Sequence, residues 1–264
     1  MKGNVVAITG ASKGIGAELA RQLAAQGAKL VLAARNEKEL EAVAEQCRKA
    51  GASVITVKAD VAVERDCQAI VAGAVLAFGR LDTLVNNAGV SMWARFEDIQ
   101  DMSILERIMQ VNYMGAVYCT HHALPHLRES KGRLVGVASL AGRTGVPTRT
   151  GYSASKHAMT GFFDSLRIEL EGSGVTVTMI YPGFVATGIR ENATGPDGKA
   201  ILVSPVKEGE VMGVEECARR IAVAIARRER EVVMTARGKI GLWLKLLAPS
   251  LIDRIAKRAI ERGR

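Results

Sequence analysis

The sequence predicts a single α/β domain, a doubly wound, seven-stranded parallel sheet flanked by helices. Three observations predict it. Seven short runs rich in Val, Ile and Leu recur along the chain, each of strand rather than helix length. Longer segments between them carry apolar residues at helical spacing. With 264 residues and 48% hydrophobic content, the chain can bury one large core.

The first run, "NVVAIT" at 4–9, ends in a glycine turn and leads into the helical "AELARQLAAQG". It is too short and wrongly flanked for a secretory signal, so it is expected to be the first strand. Further strands are expected near 28–34, 53–58, 81–85, 132–138, 175–181 and 231–235. Their near-continuous apolar character suits strands covered on both faces. Right-handed crossovers make such a sheet doubly wound, and ligands then bind beyond the carboxyl ends of the strands. Two segments break the rhythm. Residues 190–213 are rich in Gly, Pro and polar residues and long for a connection, so a substrate lid is expected there. Residues 238–264 interleave Leu242, Trp243, Leu244, Leu246, Leu247, Leu251, Ile252, Ile255 and Ile260 with Lys and Arg, and Pro249 interrupts them. This basic amphipathic extension is expected to pack on the domain or in a dimer in preference to lying on a membrane.

The charge is uneven. Of a net +9, seven units lie from Arg227 onward, where eleven Lys and Arg face four acids. The balanced remainder, with 4% aromatic residues, offers little for base stacking, so nucleic acid is not an expected partner. No run approaches the ~20 apolar residues of a membrane span. Cys47, Cys67, Cys119 and Cys217 are widely spaced, with no metal-ligand or CxxC pattern, which suits a reducing cytoplasm. His122 and His126 are one helical turn apart, but nothing completes a ligand set, and no metal is expected.

The first strand is followed by Thr9-Gly10-Ala11-Ser12-Lys13-Gly14-Ile15-Gly16 and a helix. Glycines at 10, 14 and 16 permit a tight turn and let backbone N–H groups approach a pyrophosphate at the helix N-terminus. In that position the cluster reads as a Rossmann-type dinucleotide site rather than a bare turn. The second strand runs out in Leu32-Ala33-Ala34-Arg35-Asn36, where a carboxylate would accept from a ribose 2′-OH. Arg35 stands there instead, and with Lys13 it can hold a 2′-phosphate, which favours NADP(H) over NAD. Asp60, before Val61, can contact an adenine, cap the next helix, or both.

Thr9-Gly10-x-x-x-Gly14-x-Gly16, Asn86-Asn87-Ala88-Gly89, Asn112, Ser139, Tyr152-x-x-x-Lys156 and Pro182-Gly183 occur in this order over about residues 4–190. Together they resemble the short-chain dehydrogenase/reductase family. The resemblance implies an NADP-dependent carbonyl reductase or alcohol dehydrogenase, commonly a dimer or tetramer, and gives a role to each matching residue. Tyr152 and Lys156, four apart on a helix, share a face and converge on one site. A free tyrosine ionises near pH 10, so it donates readily at neutral pH; a nearby ammonium and a cationic nicotinamide stabilise its phenolate. Tyr152 is thus the expected acid/base, with Lys156 also holding the nicotinamide ribose, Ser139 orienting the substrate oxygen and Asn112, in the fourth long helix, organising a water relay. The remaining cofactor contacts implied are Gly10, Ser12, Lys13, Gly14, Ile15, Gly16, Arg35, Asp60, Val61, Asn87, Ala88, Gly89, Pro182, Gly183, Val185 and Thr187, while Asn86 stabilises the sheet.

The tail is similar to that of the hydroxysteroid dehydrogenase branch, which acts on lipophilic ketones or alcohols and in some members dips this segment into a bilayer. Met92, Trp93, Val146, Phe184, Ile201 and Leu202 also point to a hydrophobic, steroid-like or lipid-like substrate. The alternatives are a 3-oxoacyl thioester reductase and, from another class, a non-catalytic NADP-binding sensor or membrane-surface scaffold.

Overall fold

The computed structural model describes residues 1–189, 192–202 and 211–262. Seven strands form one parallel sheet in the order β3-β2-β1-β4-β5-β6-β7. They are β1 Val5–Thr9, β2 Lys29–Ala34, β3 Val54–Lys58, β4 Thr83–Asn86, β5 Arg133–Val137, β6 Thr176–Tyr181 and β7 Glu231–Val233. The expected strands all form, displaced by at most two residues at their ends. The order reverses between β1 and β4, where Ala7 pairs with Val31 on one side and Leu84 on the other. That reversal opens a crevice above the carboxyl ends of both strands.

Alternation along each strand divides the core into two layers. Val6 and Ile8 of β1 face α1 (Gly14–Ala25), α2 (Glu37–Lys49) and α7 (Val214–Arg227), meeting Leu19, Leu23, Leu40, Ile221 and Ile225. Val5 and Ala7 face α3 (Glu64–Phe78), α5 (Gly115–Glu129) and α6 (Thr150–Glu169), meeting Ile70, Cys119, Leu127 and Phe163. Leu19, Leu23 and Phe163 are fully buried, each contributing about 1.5–3 kcal/mol of apolar transfer. All four cysteines are free and buried in these helices.

The short helix α4 (Ser103–Met109) runs into α5 through a π-helical turn, Gln110–Met114. Asn112 therefore sits on a local widening of the helix rather than on a regular turn. Such widenings recur at functional sites because they re-aim one side chain.

Residues 192–202 of the expected lid fold against the segment after β4. Trp93 N donates to Thr194 O at 2.8 Å and Thr194 N to Ser91 O at 2.9 Å. Residues 190, 191 and 203–210 of that segment lie outside the described residues.

The extension forms α8 (Ala236–Leu247) and α9 (Pro249–Arg262). Thr235 caps α8 by accepting from Gly238 N, and Pro249 opens α9, where a missing N–H costs nothing. The pair folds back on the domain: Lys245 Nζ donates to Arg143 O at 2.8 Å, and Ile252 and Ile260 are buried. Ile240, Trp243, Leu246 and Leu247 stay exposed, Trp243 to 74%. No helix among the described residues is long and apolar enough to cross a membrane.

Candidate active site

The glycine loop is fastened to the end of β4 by side chains. Thr9 Oγ1 accepts from the N–H groups of Asn87 and Ala88, both at 3.0 Å, and Asn87 Nδ2 donates to Thr9 O at 2.9 Å and Gly10 O at 3.2 Å. The Asn87 amide thus braces the loop from beneath. Gly10 and Gly14 have φ of +65° and +54°, the left-handed region. At Gly16 a Cβ would lie 2.4 Å from Gly10 O and 2.6 Å from Asn87 Nδ2, so only glycine lets α1 begin this close to the loop. Lys13 occupies the N-cap of α1 without capping it through its side chain. The first-turn N–H groups of α1 thus point into the crevice, an arrangement that suits a phosphate. Ser12 and Ile15 are half-buried beside them, Ile15 packing on the core beneath. Across the loop, Thr187 lies beside Gly14 in the stretch after β6; Pro182 O in the same stretch accepts from Leu140 N at 2.9 Å. Gly183 is half-buried and Val185 buried.

At the end of β2, Arg35 is exposed and makes no hydrogen bond or ion pair among the described residues, whereas Lys13 Nζ pairs with Glu39 at 2.7 Å. The two cations share the same mouth, but Lys13 already has a counter-charge. Asp60 does not cap α3, whose N-cap is Val63. Its carboxylate accepts from Ala62 N at 3.1 Å and faces Arg107 at 3.8 Å, while Asp66 reaches back to Asp60 N. Val61 is buried against Gly115.

Tyr152, Lys156, Ser139 and Asn112 are all buried near the carboxyl end of β5. Lys156 Nζ donates to Val137 O at 2.9 Å and lies 6.0 Å from the Tyr152 ring centre. Burial pushes its ammonium down from 10.5 to about 8. Ser139 Oγ accepts from Ala141 N, which leaves its own hydrogen free to donate. Asn112 Oδ1 accepts from Val90 N at 2.8 Å, and Nδ2 donates to Val90 O and to Ser155 Oγ, both at 2.9 Å. Both amide hydrogens are committed, so at this side chain a water could use only the second lone pair of Oδ1. Gly89 touches Asn112 and approaches Lys156 Nζ, which brings the end of β4, the π turn and α6 to one point.

Such a set is that of a family of oxidoreductases, and comparison with known proteins decides it. A family model described as short chain dehydrogenase matches residues 4–197. The chain is a short-chain dehydrogenase/reductase. It is 41% identical over 262 residues to an Arabidopsis thaliana protein called 11-beta-hydroxysteroid dehydrogenase-like 4A, covering 98% of this chain and 85% of that one. Identity to the 11-beta-hydroxysteroid dehydrogenase 1A of the same plant is 39%, over 95% and 74% of the two chains. A solved short-chain dehydrogenase/reductase from Burkholderia phymatum, in complex with NAD, superposes with a TM-score of 0.83 at 28% identity, over 95% of each chain.

In this dehydrogenase the apolar residues expected near the site divide into three groups. Trp93 clusters with Val146, Phe184 and Ile201, joined by Ala193 and by Ile260 of the tail. Met92 instead packs with Tyr152, Ile104, Ile108 and Ala141, a cluster that Val146 also touches. Leu202 points outward, 77% exposed. Sequence reasoning missed Arg149, whose guanidinium carbon lies 4.4 Å from the Tyr152 ring centre, and Ser155, which bridges Asn112 to Tyr152 O. Ser155 is three residues from Tyr152 on the same helix, a spacing that shares a face as the four-residue spacing of Lys156 does, whereas Arg149 stands just before that helix. His122 lies 3.6 Å from Glu64, and no metal-holding cluster of His, Cys, Asp and Glu occurs among the described residues.

Proposed function

We propose that this protein is an NADP(H)-dependent oxidoreductase that interconverts a ketone and a secondary alcohol on a hydrophobic, steroid-like or lipid-like compound. The observation that carries the proposal is the buried Tyr152–Lys156 pair near Ser139, joined to the Trp93 apolar cluster through Val146, which packs on both, and Arg149, which lies over both rings. The names of the Arabidopsis relatives favour the same substrate class.

A bound nicotinamide dinucleotide would supply the hydride for reduction or accept it in oxidation. The residues of the chain handle the proton. Tyr152 gives it from its hydroxyl to the substrate oxygen, or takes it back in the reverse direction. Ser139 donates its free hydrogen to the same oxygen and orients it. Lys156 places positive charge where the phenolate develops. Asn112 ties the loop after β4 to α6, so the donor set is held rigid before substrate arrives.

Arg35 supports the preference for the phosphorylated cofactor, because a guanidinium at the end of β2 suits a 2′-phosphate. Arg35→Asp is expected to weaken NADPH binding roughly tenfold to hundredfold while leaving NADH binding unchanged or improved. An unchanged ratio of the two affinities, measured by titrating cofactor fluorescence, would refute the assignment.

The proposal as a whole is tested by NADPH and NADH oxidation against ketones from small keto-esters to steroid and aromatic ketones. Turnover with NADPH and the bulky ketones supports it. Turnover confined to 3-oxoacyl thioesters would make the protein a carrier-protein reductase instead. The exposed row of Ile240, Trp243, Leu246 and Leu247 is read as a contact between two copies of the chain in a cytoplasmic homo-oligomer. The full chain is expected to stay in the supernatant with anionic liposomes. Co-sedimentation that disappears in a chain ending at Lys239 would reassign the row to a membrane.

A further inference from the structure

Arg149 directly precedes α6 and is only 7% exposed. Its guanidinium carbon stands 4.4 Å from the ring centre of Tyr152, 5.5 Å from that of Trp93 and 5.9 Å from that of Phe184, and Nη2 donates to Ser91 Oγ. The backbone that delivers it is strained: Thr148, a β-branched residue, has φ of +66°, and its carbonyl is fixed by Ala94 N at 2.9 Å. A guanidinium is expensive to desolvate, and partners that include Ser91 Oγ hold this one against the aromatic rings. Strain and burial together therefore mark a position held for the charge and its aim.

Of the three rings, that of Tyr152 lies nearest the guanidinium. Around Tyr152 the packing residues Met92, Ala94, Ile104, Ile108 and Ala141 are apolar. Among the described residues the charges facing that ring are Arg149 and, from its own helix, Lys156 at 6.0 Å. A cation on a neutral ring gains a modest cation–π attraction, which rises as the hydroxyl loses its proton and the ring turns anionic.

We propose that Arg149 is a positioning residue for Tyr152, clamping its ring and stabilising the negative charge that grows on it during proton transfer. The inference rests on Tyr152 being the acid/base of the proposed reaction. Arg149 then acts on the chemical step and not on substrate binding.

The test is a double-mutant cycle on the full chain, with NADPH and a steroid ketone as probe. Arg149→Leu is expected to lower kcat roughly tenfold to hundredfold with KM and the Kd for NADPH nearly unchanged, and Arg149→Lys to recover most of the loss by keeping the charge. Adding Arg149→Leu to Tyr152→Phe should cost little more, because the group it serves is gone. A raised KM with unchanged kcat, or losses that multiply in the double variant, would overturn the proposal and make Arg149 a substrate contact. If Arg149→Leu fails to fold, as judged by near-UV circular dichroism, Arg149→Gln compared with Arg149→Lys carries the same test, equal kcat in the two contradicting the proposal. The arms separate two failures. A Tyr152→Phe variant that keeps its rate defeats the proposed function itself, whereas full activity in the Arg149 variants defeats this inference alone.

Discussion

Tyr152→Phe is expected to lower ketone reduction by about 10²- to 10⁴-fold and to leave NADPH binding unchanged. The substitution removes one oxygen and nothing else from a buried ring. Its packing against Met92, Ile104, Ile108 and Ala141 and the Arg149 guanidinium on its face do not involve the hydroxyl. The glycine loop, braced by Thr9 and Asn87, is equally untouched. A loss of turnover without a loss of stability or cofactor affinity therefore isolates the proton-transfer step. Steady-state kinetics and fluorescence titration on the same preparation check both halves.

Lys156→Met is expected to abolish turnover and to change how stability depends on pH. Burial holds the Lys156 ammonium down from 10.5 to about 8, so the folded chain releases this proton earlier than the unfolded chain does. Below about pH 8 both states are protonated, and the fold bears the full desolvation penalty. As pH rises from about 8 to 10.5 the unfolded state binds more protons, so this residue's penalty is relieved and stability rises. The shift corresponds to about 3 kcal/mol. Methionine does not titrate, so the stability of the wild type relative to Lys156→Met should climb by about that amount over the interval. At neutral pH the variant forfeits the hydrogen bond to Val137 O, worth roughly 1–3 kcal/mol when a buried carbonyl is orphaned, which offsets most of its relief from desolvation. Urea unfolding of the cofactor-free proteins at several pH values provides the comparison. A difference that stays flat with pH would show that Lys156 is solvated, and its role at the ring would need another basis.

How much of this could be read from the chain follows from which interactions are local. Strands covered on both faces are continuous apolar runs, so "VVAIT" and "TVTMIY" announce themselves and a doubly wound parallel sheet follows from connection rules, whereas the order of its strands depends on long-range pairing. Tyr152 and Lys156 were legible because one helical turn fixes their relation whatever surrounds them. Asn112 was identified as a residue, but its π turn was not, since the widening depends on how α4 and α5 meet the rest of the fold. Lys13 looked like a free phosphate ligand until Glu39, 26 positions on, was found against it. Ile260 shows the same limit: its apolar character was evident, yet nothing local could say that it returns across the molecule to Trp93. Arg149 was overlooked because an arginine before a helix ordinarily lies in solvent, and only the third dimension places it on the Tyr152 ring.

Hydride exchange at a carbonyl carbon, with Tyr152 handling the proton, leaves an isotopic mark on the product. It is observed by incubating the protein with a bulky apolar ketone and NADPH carrying deuterium at both C4 positions, and following the alcohol by mass spectrometry. The expected product is an alcohol carrying one deuterium on its carbinol carbon, formed at a rate that Tyr152→Phe loses. Formation of no labelled alcohol from any ketone tried, or labelled alcohol at equal rates from both proteins, would contradict it.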